Sequence, residues 1–82
     1  METVLEVQDL YLSAAIVTFL KIEPSYKTRN KKTSFCFVVS DDLYLAIRNY
    51  NSGAPVDVQE YAGNIKRLRG EMLNRRNFRG DL

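Results

Sequence analysis

Histidine is absent from this chain and cysteine occurs once, which removes several chemistries before any pattern is read. Without histidine there is neither the usual general base near neutral pH nor the commonest metal ligand. Cys36 has no partner for an internal disulfide, so an intracellular, cytoplasmic setting is expected. As a nucleophile it would need an electropositive, exposed pocket. It sits instead in the middle of an alternating apolar run and reads as a buried structural thiol. The four glycines, Gly53, Gly63, Gly70 and Gly80, are scattered, and none lies between a strand and a helix start, so no phosphate-cradling loop is present. Long apolar stretches are also missing. The longest, Leu10 to Leu20, is broken only by Ser13 and Thr18 and is about half of a ~20-residue membrane span, so it reads as a buried helix. Met1-Glu2-Thr3 lacks the positive region of a secretory leader, and none is expected. Asp41 and Asp42 are neighbours at a helix start and read as first-turn acids, not as a catalytic pair. A non-enzyme without cofactor or metal is the resulting expectation.

What the chain does have is sorted charge. Residues 1–24 sum to −3, 25–40 to +4, 41–60 to −3 and 61–82 to +4, which the net value of +2 conceals. A phosphate or an acidic partner responds to potential over roughly 8 to 10 Å and not to the total, so two basic segments suggest a binding face. At 82 residues the chain fits one domain, burying roughly 60 to 65% of its unfolded surface. That leaves little margin, and self-association would help.

The apolar periods predict an α+β domain over residues 1–74, with an antiparallel hairpin packed on three helices and a basic, fraying tail over 75–82. Thr3 to Val7 alternate briefly and form a candidate third strand, so the predicted order is (β)-α-β-β-α-α. Asp9 is the expected cap of a helix running to about Leu20, apolar over most of its circumference. Either the rest of the monomer wraps this helix or a second subunit covers it. From Lys21 the period changes to two, with Pro24 marking an edge strand. Thr33 to Ser40 put Phe35, Phe37 and Val39 on one face and Ser34, Cys36 and Val38 on the other. Between the strands, Lys27 to Lys32 reads as a hairpin tip. Ser40, Asp41 and Asp42 then start a second helix, Asn51-Ser52-Gly53 ends it, and Asp57 with Glu60 makes a capping-box-like start for a third. In that helix Val58, Tyr61, Ala62, Ile65, Leu68 and Met72 form the apolar stripe, which stops after Leu73, and Arg67 with Glu71 has the spacing of an i,i+4 pair. Asp9-Leu10-Tyr11-Leu12 recurs as Asp42-Leu43-Tyr44-Leu45, which an acid cap followed by first-turn packing explains without a repeat architecture.

The cations supply the candidate site. Lys27, Arg29, Lys31 and Lys32 at the hairpin, Lys66 and Arg67 on the third helix, and Arg75, Arg76 and Arg79 beyond it are expected to converge into one positive patch. Such a patch would bind nucleic-acid phosphates in a salt-sensitive, largely sequence-independent way. Tyr26 beside the tip is placed to stack on an unpaired base. Gly63 and Gly70 share the polar face of the third helix, where each costs about 1 kcal/mol relative to alanine, so a close neighbour for that backbone is one account of them. The competing reading of the tip is that lysines keep an edge strand soluble. A second functional reading is an accessory or inhibitory protein docking its cations on an acidic surface of a host or phage protein.

The Asp-Leu-Tyr-Leu-Ser-Ala-Ala start at Asp9, Phe35-Cys36-Phe37-Val38-Val39, Tyr50-Asn51-Ser52-Gly53 and Val56-Asp57 together resemble a family of small uncharacterised domains from bacteriophages and mobile elements, over about residues 9–73. The resemblance implies the same fold and a phage or prophage setting. The family has no assigned activity, so no functional residue is carried over.

Overall fold

The chain is built of period-two segments and side-chain-capped helical segments, and the structure follows them. It is a computed structural model that describes residues 2–79, with side chains through residue 75. The elements are β1 (Val4–Val7), α1 (Leu10–Leu20), β2 (Ser25–Arg29), β3 (Lys32–Val38), α2 (Asp41–Asn51) and α3 (Val58–Arg79). The α+β order includes the short N-terminal strand.

Local side-chain chemistry starts each helix. Asp9 Oδ1 accepts from the backbone N–H of Tyr11 (2.8 Å) and Leu12 (3.1 Å), satisfying two otherwise unpaired donors of α1. Ser40 Oγ does the same for Leu43 N–H at 3.0 Å, with Asp41 and Asp42 in the first turn of α2. Asp57 Oδ1 accepts from Glu60 N–H at 2.9 Å. Only half of the expected capping box forms, because the Glu60 carboxylate is paired with Lys21 beyond the end of α1. The repeated tetrapeptide also splits on inspection. Asp9 is a cap whereas Asp42 lies inside α2, and Tyr11 and Tyr44 are both about half exposed and pack little.

The three strands form one antiparallel sheet in the order β1-β3-β2, so the most apolar strand is central and both short strands are edges. Directly paired residues share a face. Leu5 opposes Phe37, Val7 opposes Phe35, and Tyr26 opposes Phe35 from the other side, which places these side chains against the helices. Phe35, Phe37, Ile16, Leu43 and Leu68 are sealed from solvent in a single core. α1 runs through that core with α2 and α3 on either side of it, and Ser13 to Thr18 are buried consecutively. The monomer itself therefore wraps the apolar helix, and no second subunit is required to cover it. α3 packs through Tyr61, Ile65, Leu68 and Met72, while Val58 and Ala62, expected on the same stripe, are exposed. The helix continues to Arg79, past the Leu73 limit of the apolar pattern. Among the described residues no helix is long and apolar enough to cross a membrane.

The hairpin is tighter than its composition suggests. Asn30 and Lys31 both have positive φ (51° and 66°), the backbone of a two-residue type I′ turn. Lys27, Thr28, Arg29 and Lys32, read from sequence as part of the tip, are strand residues. Alternation then divides them. Thr28 meets Thr33 on the helix side, Oγ1 to Oγ1 3.0 Å, and Lys27, Arg29 and Lys32 emerge on the opposite face.

Candidate functional site

The second face of the sheet carries Val4, Glu6, Ser25, Lys27, Arg29, Lys32, Ser34, Cys36 and Val38, and no described helix lies over it. No aromatic side chain lies among them. Ser34 and Cys36 are nevertheless buried, at 6% and 8% exposure. Their cover comes from charge. Glu6 on β1 reaches across the central strand to β2, where Glu6 Oε2 accepts from Lys27 Nζ at 3.2 Å and from Arg29 Nη2 at 3.1 Å. With strands about 4.8 Å apart, that bridge spans two inter-strand steps, about 9.6 Å, directly above β3. Beside it Gln8, Asn30, Lys32 and Ser34 complete an open concavity of about 270 Å³.

Burial pushes the Cys36 thiol above its ordinary value, and the Glu6 charge adds to the rise. A raised thiol is the opposite of what a nucleophilic cysteine requires. Among the described residues no group of three or more cysteine, aspartate or glutamate side chains is placed to hold a metal ion. A second concavity of about 190 Å³, lined by Ala15, Phe19, Tyr50, Ala54, Val56 and Tyr61, is mostly apolar. Its one engaged hydroxyl, Tyr61 OH, donates to the Tyr11 carbonyl at 3.1 Å and serves helix packing.

The basic residues do not converge. Lys27, Arg29 and Lys32 project from the open face, and Lys31 stands at the turn between the strands. The α3 cations belong to the other layer. Arg75 lies over the Tyr26 ring, 4.1 Å from its centroid, and Tyr26 points to the helix side of β2. Arg75 also pairs with Glu71 at 3.3 Å. Arg67 donates to Glu23 at 2.6 Å and to Asn64 at 2.9 Å, so the expected Arg67–Glu71 pair is replaced by two others. Lys66 is exposed and makes no ion pair among the described residues, and the same holds for Lys31 and Lys32. The side chains of Arg76 and Arg79 lie outside the described residues. Among the described side chains, then, the hairpin cations Lys27, Arg29 and Lys32 stand on one side of the sheet and Arg75 on the other.

Two further expectations change. The Tyr26 ring is packed edge-on against Phe35 (centroids 5.6 Å apart) and covered by Arg75, so it is not open to a base. Burial, then Glu71 and Glu23, raise its phenol above the ordinary value. Gly63 and Gly70 face open space, with nothing within 4 Å of where a Cβ would stand, so no neighbour among the described residues explains them. Glu6 was not singled out from the sequence. Its outward position in Val4-Leu5-Glu6-Val7 was the only signal, and alternation alone does not say which strand lies beside it.

Comparison with protein-family models, curated proteins and solved structures returns no match to this chain.

Proposed function

We propose that this chain is a small non-catalytic binding protein, of a bacteriophage or mobile-element setting, that contacts nucleic acid through its phosphates at the β2–β3 hairpin. The observation that carries this reading is the placement of Lys27, Arg29, Lys31 and Lys32 on or beside an uncovered sheet face, with Glu6, among the described residues, the one acid paired with any of them. Four cations within one hairpin can neutralise three to four phosphates. Arg67 and Arg75 on α3 are engaged in intramolecular pairs and packing, which favours the hairpin side of the sheet as the interface.

Such a site reads the backbone and not the bases, since among the described residues the open face offers no ring for stacking. Binding to generic single-stranded DNA or RNA should therefore weaken about 20- to 50-fold between about 50 and about 200 mM salt. Lys31→Glu with Lys32→Glu should abolish it. Absence of wild-type binding at the low-salt end rejects the reading.

That same lack of aromatics favours a second reading, in which the cations dock on an acidic protein surface. Capture of one acidic protein after nuclease treatment, lost in the Lys31→Glu/Lys32→Glu variant, would replace the first reading with the second. Pairing of two copies along the β2 edge would set two hairpins side by side. Sedimentation showing only monomer at tens of micromolar rejects that arrangement.

A further inference from the structure

Among the described residues Glu6 is the one acid paired with the hairpin cations, and it is placed as a ligand would be. We propose that the Glu6 carboxylate occupies, in the free protein, the position that a backbone phosphate takes between Lys27 and Arg29, so that Glu6 acts as an internal competitor setting the affinity of this face. The inference rests on the nucleic-acid reading above and adds its regulation.

Three observations carry it. Both carboxylate oxygens are engaged by donors from β2, with Arg29 Nη2 at 3.1 and 3.4 Å and Lys27 Nζ at 3.2 Å. A phosphodiester presents the same acceptors to a guanidinium and an ammonium. The exchange has room, because the adjoining concavity of about 270 Å³ is open to solvent and adds Lys32, Asn30, Gln8 and Ser34 as polar partners. Finally, the bridge is weak enough to open. Glu6, Lys27 and Arg29 keep 40%, 53% and 64% of their side-chain surface exposed, the regime in which ion pairs add little to stability. Breaking the bridge frees two cations at once and leaves one carboxylate in water.

The test compares the affinity of a short mixed-sequence single-stranded oligonucleotide for the wild type and five variants at about 50 mM salt. Glu6→Gln keeps the size and hydrogen-bonding reach of the side chain and removes its charge. It should tighten binding about two- to fivefold, the range an exposed ion pair supports. Glu2→Gln makes the same change in net charge outside the bridge and should tighten binding less. In a background carrying Lys27→Gln and Arg29→Gln, Glu6→Gln should gain no more than Glu2→Gln does, since the site for which it competes is gone. Equal gains from Glu6→Gln and Glu2→Gln, or a Glu6→Gln gain that survives undiminished when both cations are lost, overturn the inference. Wild-type binding that Lys31→Glu/Lys32→Glu abolishes but Glu6→Gln leaves unchanged keeps the hairpin as the interface and rejects Glu6 as its competitor. No binding by either the wild type or Glu6→Gln rejects both.

Discussion

Ser13 shows how a single residue can be conspicuous only after folding. Its Oγ is sealed in the core and has no hydrogen-bond partner among the described residues, although the Thr18 hydroxyl on the same helix donates to the Ala14 carbonyl at 2.7 Å and accepts from Asn64 at 2.9 Å. An unsatisfied buried hydroxyl costs roughly 1–3 kcal/mol, and alanine is the better helix former. Ser13→Ala should accordingly raise stability by about 1 kcal/mol, read as a higher urea midpoint at unchanged slope. Three other side chains share a pH response. Burial is the first cause that lifts Cys36, Tyr26 and Tyr61 above their ordinary values, aided by Glu6, by Glu71 and by Tyr50 respectively. Between the unfolded and the folded pKa the native state retains protons that the unfolded chain has released. Their contribution is complete below the unfolded values, about 8.5 for cysteine and about 10 for tyrosine, and is lost as pH climbs. The urea midpoint should fall from about pH 8 to about pH 10.5, and Tyr26→Phe with Cys36→Ala should flatten that fall.

At the scale of elements, the hairpin places a cost and a function on one residue. Lys31 adopts φ +66°, a conformation that glycine takes without penalty and that a side chain resists. Lys31→Gly should therefore stabilise the domain by about 0.5–1 kcal/mol while weakening nucleic-acid binding and lowering the magnitude of the salt slope by about 0.7. Opposite movements of stability and affinity, measured on the same variant by denaturation and by salt titration, are the expected result. Gain in both would assign Lys31 to solubility alone. The helices were legible from sequence because caps act over two or three residues. Asp9 and Ser40 bond N–H groups within their own first turns, so sequence neighbours suffice to find them. Arg67 illustrates the limit. An i,i+4 partner was available at Glu71, but Glu23, 44 positions away in sequence, takes the guanidinium once α3 lies beside the connector leading into β2.

The whole molecule depends on one core shared by all three helices and the inner sheet face. Leu68 is the fully buried α3 side chain in that core. Leu68→Ala should cost about 2–5 kcal/mol, a large share of the roughly 5–15 kcal/mol available to a domain, and should lower the unfolding midpoint accordingly. Thermal melting followed by circular dichroism measures it, and a loss below about 1 kcal/mol would mean that α3 is dispensable to the core. The same core sets the geometry of function. By claiming one face of the sheet it leaves the other to Lys27, Arg29, Lys32 and Glu6, and it puts Arg67 and Arg75 on the far side.

The α+β class, the helix starts, the burial of Phe35 and Phe37 and the outward direction of Cys36 and Lys27 all follow from periods and caps, because those properties depend on residues a few positions apart. Strand order does not. β1 lies next to β3 and not β2, and so Glu6 comes to bridge Lys27 across 21 residues of chain, a meeting that folding alone arranges. Charge blocks told where the cations are along the chain, but which of them act together was decided by the sheet, an impassable layer between side chains that a linear reading counts as one set.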